Sequence, residues 1–228
     1  MEGSSRYNTP LWEEIKKVLK NNMEIHLSHP QKPIRLTFSL GYLVQWEGEF
    51  SSVYEKAIPK VLQPQVLKGL QKTSKVTGKP LYSLLVEGGL LTPEIEFSLS
   101  FQGAITLLQD SFLKEEKPWL LQPIRSQETF PHKQPFLPVL VDLFLQVNPS
   151  LLIETLHPFT PSSFSPNPHL LDQLPEEEKN FLKNASKEND LKKILKTGGN
   201  ISQRKALVLL FLAKELGWFL PPSTREIS

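Results

Sequence analysis

The sequence predicts an α+β fold: an N-terminal helix with a small antiparallel sheet, a middle helical hairpin module, and a small C-terminal helical, winged-helix-like unit. Three observations lead there. Apolar residues recur at helical spacing from Leu11 to Leu19 and again from Val53 to Phe112. Between these segments the period switches to strict alternation, the mark of strands with one face buried. Residues 158–168, PFTPSSFSPNP, are rich in proline and hydroxyl side chains, which favours an extended, semi-rigid connector. The expected organisation is an α+β domain over 1–157 with a hairpin insert at about 53–113, a linker at 158–168, and a helical unit over 169–222.

Thr9 and Pro10 supply a hydroxyl cap and a first-turn proline for the opening helix. Glu13 and Glu14 come early in it and Lys16, Lys17 and Lys20 late, as the helix dipole favours. Asn21 and Asn22 end it. Met23 to Leu27, Ile34 to Phe38 and Tyr42 to Trp46 then read as three strands of an antiparallel meander, with turns at 29–33 and 39–41. His26 and His29 suggest a metal pair by spacing. The plainer reading is an exposed strand residue and a turn residue, because no third ligand stands near them.

The middle segment contains an internal echo. Leu62, Pro64, Val66 and Leu70 recur 29 residues later as Leu91, Pro93, Ile95 and Leu99. A repeated helical unit would give this pattern, and so would any two amphipathic helices with proline at the first position. The helix from Thr92 keeps an apolar stripe through Ile95, Leu99, Ile105, Leu108 and Phe112. Trp119, Leu121 and Ile124 predict a short strand able to join the N-terminal sheet, followed by a polar loop over 126–133. Pro135 to Asn148 reads as a second apolar helix stopped by Pro149. In the C-terminal part, one helix starts at Pro175 with Glu176, Glu177 and Glu178. A second carries Leu191, Ile194 and Leu195, and a third runs from Ile201 to Leu216 behind an Asn200 cap. The stretch ALVLLFLA in this last helix is apolar all round and must be buried on most sides.

Composition narrows the functional classes. Among 228 residues, 26 Lys and Arg against 24 Asp and Glu leave no global drive toward nucleic acid or anionic lipid. The chain has no cysteine, which excludes disulfides, zinc–thiolate sites and thiol catalysis. The N-terminal residues show neither the basic nor the apolar region of a signal peptide, and no stretch approaches the length of a membrane span. A cytoplasmic location is the expectation. No serine-hydrolase elbow, zinc-protease helix or phosphate loop is present, so no catalytic residue, metal ligand or cofactor is expected. Thr197 to Asn200 offers backbone N–H groups to an anion, and a helix stop followed by a cap explains the same residues.

Three pieces in order, IRLTFSLGYLVQW, KPLYSLLVEGGLLTPEIEFSLSFQ and LPEEEKNFLKNASKENDLKKILKTGGNISQRKALVLLFLAKELGWF, resemble the bacterial PATAN-type domain of unknown function. That resemblance covers nearly the whole chain. It implies a protein–protein interaction module of bacterial signalling or motility, with a receiver domain, small GTPase or motor-type protein as partner. The hairpin alone is also similar to the N-terminal module of type II secretion and type IV pilus ATPases, some of which bind cyclic di-GMP. Leu81, Leu85, Val86, Gly89, Leu90, Leu91, Leu99 and Gln102 match that module. Pro80 stands in place of its arginine and Tyr82 in place of its glycine. These departures remove a charged fork and a close backbone approach, so the alternative implied is a degenerate cyclic di-GMP sensor.

The leading expectation is thus a non-enzymatic interaction module. Its candidate surface is Leu81, Tyr82, Leu85, Gly89, Leu90 and Gln102, or the C-terminal helices. The remaining alternative is a DNA-binding regulator using the winged-helix-like unit, with Lys193, Lys196, Gln203, Arg204 and Lys205 as contacts. Glu188 and Asp190 dilute the charge there, and the apolar helix behind must face protein, which sets nucleic acid below a protein partner.

Overall fold

Pro10 opens helix α1 (Pro10–Lys20) in the computed structural model of the protein, which describes residues 10–28, 34–48, 50–113, 120–124, 133–157, 163–188, 190–196 and 198–220. Leu11, Trp12, Ile15, Val18 and Leu19 form its buried face, as the spacing predicts. The proposed Thr9 cap, the 29–33 turn with His29, Trp119, and residues 125–132 of the polar loop lie outside the described residues.

The meander follows as β1 (Ile25–Ser28), β2 (Arg35–Ser39) and β3 (Tyr42–Glu47), all antiparallel. Ile25 stands opposite Phe38 and Leu27 opposite Leu36, so the alternation places four apolar side chains in the core. The His26 ring bonds to the Thr37 hydroxyl across the pair at 2.9 Å, which accounts for that histidine within the sheet. The expected fourth strand is present as β4 (Leu120–Pro123) on the free edge of β1. A two-residue strand, β5 (Gln134–Pro135), covers the other edge, giving the order β4-β1-β2-β3-β5. Both outer strands are short, which limits exposed ladder groups.

Four helices succeed the meander: α2 (Ser51–Val61), α3 (Pro64–Thr77), α4 (Leu81–Glu87) and α5 (Pro93–Leu113). Pro64 and Pro93 each occupy the first position of a helix, so the echo has a structural counterpart. Ala57, Ile58, Leu62, Leu70, Leu84, Leu85 and Leu99 form a core of their own. Gly103 permits α5 to lie against the start of α2: a Cβ there would sit 2.8 Å from the Cβ of Phe50. Trp46 ties the sheet to α5, stacking against Phe97 and Phe101 while its indole N–H donates to Ser100 Oγ at 2.6 Å.

The second half departs from expectation in three places. Pro135 belongs to β5, and the helix expected to start there is α6 (Leu137–Phe144), ending one turn early. Pro149 stops nothing; it begins α7 (Pro149–Leu156), with the Asn148 side chain accepting from the Ser150 N–H. The last long helix is α11 (Gln203–Glu215), capped by Ser202 rather than Asn200 because the Ser202 hydroxyl accepts from the Lys205 N–H. Between them lie β6 (Ser163–Phe164), α8 (Pro168–Leu171), α9 (Glu176–Ala185) and α10 (Leu191–Lys196), and β7 (Phe219–Leu220) closes a two-stranded ribbon with β6. Every residue from Ala206 to Ala213 is buried, as the all-round apolar run requires.

One main core spans both sides of residues 158–168, so the connector is not a division of the core. Leu36, Phe136, Leu152, Leu182 and Leu209 all belong to it. At its centre Trp12 of α1, Phe112 of α5, Phe144 of α6 and Phe211 of α11 stack at 4.8–6.4 Å. Lys16 adds a polar tie between α1 and α11 through Glu13 (2.7 Å) and Glu215 (3.0 Å). Burial disfavours its charge, yet the hydrogen bonds its ammonium donates to those two carboxylates hold its pKa above the ordinary 10.5. A raised lysine pKa stabilises the fold fully below the unfolded value and ceases to do so as pH rises through the folded one. Stability is expected to fall above pH 10.5, and Lys16→Met should flatten that alkaline limb in denaturation titrations.

No single helix among the described residues is long and apolar enough to cross a membrane. The apolar pair α6 and α7 is bent by 113°, and both helices bury their leucines in the core.

Candidate functional site

The six residues expected to form one surface on the hairpin are split among four environments. Leu85 is fully buried in the hairpin core. Leu81 and Tyr82 are half-buried against it, with the Tyr82 ring 5.0 Å from that of Tyr54. Burial, the neighbouring Tyr82 and Glu96 all raise the Tyr54 pKa. Gly89 occupies the exposed turn after α4 at φ +63°, which a glycine tolerates without strain, and Leu90 beside it is 41% exposed. Gln102 lies apart from the other five, two turns into α5.

The start of α4, where Pro80 and Tyr82 stand, is occupied from within. Glu55 of α2 accepts from the N–H groups of Leu81 (3.1 Å) and Tyr82 (2.8 Å). A carboxylate on these donors satisfies a helix terminus that lacks a side-chain cap, and it repels a phosphate. Glu55 therefore disfavours an anionic ligand at the start of α4.

The outer face of α3 carries a feature the candidate list omits. Lys68, Lys72 and Lys75 follow one another at helical spacing, Lys79 stands just past the helix end, and α3 contains no acidic residue. Lys79 pairs with Glu87 at 2.7 Å, whereas the other three make no ion pair among the described residues. Val76 is 82% exposed beside this row, with Val66 (37%) on the same helix and Val86 (51%) on α4. The signal is present in the sequence as lysines spaced four, three and four apart without an intervening acid.

The C-terminal basic residues are put to a different use. The Arg204 guanidinium donates to the main-chain carbonyls of Leu145 (3.2 Å) and Val147, satisfying acceptors left at the end of α6. Lys205 pairs at 2.5 Å with Glu178, which is buried on α9. Both candidate nucleic-acid contacts are thus committed to holding α11 in place, while Lys193, Lys196 and Gln203 remain exposed. Of the expected anion loop, Thr197 is outside the described residues. Gly198 to Ile201 closes a turn in which the Ile201 N–H donates to the Gly198 carbonyl at 3.1 Å.

Gln102 opens onto a cleft of about 280 Å³ between α2, α5 and α6. Gln102, Ile105 and Gln109 form one wall; Val139 and Asp142, with Gln146 in the turn after α6, form the other. Lys60 in the last turn of α2 borders it. Among the described residues no three His, Asp or Glu side chains group as a metal site. Comparison of the chain with models of protein families, with curated proteins and with solved structures gave no match.

Proposed function

We propose that the chain is a non-enzymatic protein-interaction module, of the signalling or motility kind that its likeness to PATAN-type bacterial domains implies, working inside the cell. The observation that carries this reading is the outer face of α3, where three lysines with no ion pair among the described residues run beside a nearly bare Val76. An exposed apolar side chain beside a cationic row suits a partner whose surface sets an apolar patch next to acidic groups. A receiver domain, a small GTPase or a motor-type ATPase with such a face is the expected partner class. The commitment of Arg204 and Lys205 to internal contacts supports a protein partner over DNA.

The test is a titration of the purified chain against purified representatives of those three classes, by fluorescence anisotropy. Binding is expected for one class and should weaken as salt rises. A Lys68→Glu, Lys72→Glu, Lys75→Glu variant should lose about tenfold or more in affinity, because the reversed charges of the row meet like charges. Its circular dichroism should match the wild type, since all three side chains are exposed. Equal binding by the variant would remove α3 as the surface, and silence from every class would remove the interaction reading itself.

A further inference from the structure

The cleft between α5 and α6 carries polar side chains on both of its walls. Gln102, Ile105 and Gln109 stand at i, i+3 and i+7 along α5, so they share one face. Val139, Asp142 and Gln146 repeat the same spacing on the opposite wall. Facing stripes of this kind normally carry apolar side chains that interdigitate and close the gap. Here each wall has its polar groups at positions where closure would bury them, and a cleft remains.

Among the described residues none of the polar side chains in it is committed elsewhere. The carboxamides of Gln102, Gln109 and Gln146 make no hydrogen bond to any described residue, and Asp142 and Lys60 make no ion pair with one. Nearby, Lys56 and Asp110 do find each other at 3.3 Å, which shows that paired charges form on these same helices where geometry allows.

We infer that this cleft binds a small zwitterion, an α-amino acid with a polar or short side chain. One carboxylate and one ammonium group leave the lining with no net charge. A simple anion would meet Asp142 and a simple cation would meet Lys60, whereas a zwitterion satisfies both. The three amides offer donors and acceptors to either end of the ligand or to its side chain. Ile105 and Val139 supply apolar contact for its aliphatic carbons. Among the described residues the lining holds no aromatic ring, so they offer no platform on which a nucleobase stacks. A volume of about 280 Å³ admits an amino acid and is small for a dinucleotide.

The experiment is a nitrogen-15 NMR titration of the full chain with each of the common L-amino acids, following the side-chain NH₂ signals of Gln102, Gln109 and Gln146. At least one amino acid is expected to shift these signals saturably. Its decarboxylated and deaminated analogues should bind roughly tenfold more weakly or worse, since each leaves one lining charge unmatched. Asp142→Asn and Lys60→Met, both at exposed positions, should weaken binding by a similar factor with the backbone spectrum unchanged. The inference fails if no amino acid moves the three amides at millimolar concentration. It fails equally if an analogue lacking one charge binds as well as the parent, or if a nucleoside shifts the amides where amino acids do not. Because α3 takes no part in the cleft, none of these results bears on the partner titration.

Discussion

Phe144→Ala is expected to destabilise the protein by about 3–5 kcal/mol, the usual cost of truncating a fully buried phenylalanine. The size follows from its place: the ring lies 5.0 Å from Trp12, 5.4 Å from Phe112 and 4.8 Å from Phe211. Those three partners come from α1, α5 and α11, so the cavity would open where the N-terminal, middle and C-terminal parts meet. Total stabilities of domains run to only about 5–15 kcal/mol, so such a loss takes a large share. Urea denaturation should be followed by tryptophan fluorescence and by far-ultraviolet circular dichroism. Both curves are expected to shift together, because Trp12 and the helices of the C-terminal part rest on the same ring. A dichroism transition that stayed in place while fluorescence shifted would mean that residues beyond 168 fold separately from the rest.

This coupling was not readable from residues 158–168. Proline and serine there signal an extended path, and the path is indeed extended where described: Ser163 and Phe164 pair with Phe219 and Leu220. Composition reports local stiffness, however, not whether the elements on either side share a core. What sequence periodicity does report is which face of an element is buried, and it located α1, the meander, α5 and the apolar run of α11 correctly. It missed α7 because proline both ends helices and begins them. Asn148 ahead of Pro149 is the cap signal that decides between the two. Two-residue strands such as β5 and β7 are too short to show any period.

The candidate sites were legible to a different degree. The lysine spacing on α3 and the i, i+3, i+7 stripes of the cleft are one-dimensional patterns. That the α5 stripe faces the α6 stripe is not, since it depends on how two helices separated by a sheet edge are packed. The Gln102 position illustrates the difference. Its place in a hairpin motif groups it with Leu81 and Leu90, whereas its position along α5 turns it toward Asp142. Glu55, whose carboxylate closes the start of α4, sits 26 residues before the first N–H it accepts from. No local signal announces a contact of that separation.

Gln173 is the strongest case of such a hidden tie, and Gln173→Ala is expected to cost about 2–4 kcal/mol. Its carbonyl oxygen accepts from the N–H groups of both Phe136 and Leu137 at 2.8 Å, capping the start of α6 from a distance of more than thirty residues. Its NH₂ group donates to the carbonyl of Gly41, in the turn between β2 and β3, at 3.0 Å. One amide thus fastens the sheet, α6 and the segment after α8 together. Phe136 and Leu137 are buried, so alanine would leave two donors without a partner and out of reach of water, the costly way to lose a hydrogen bond. Gln173→Glu separates the two halves of this role. A carboxylate still accepts from both N–H groups and suits the positive end of α6, but it has nothing to donate to Gly41. It should therefore recover part of the loss, ending at about 1–2 kcal/mol below wild type. Amide hydrogen exchange gives an independent reading: Phe136 and Leu137 should lose protection in the alanine variant and keep it in the glutamate one. A loss under about 0.5 kcal/mol for Gln173→Ala, the range of an ordinary surface change, would show that water replaces the amide and that the tie is not structural.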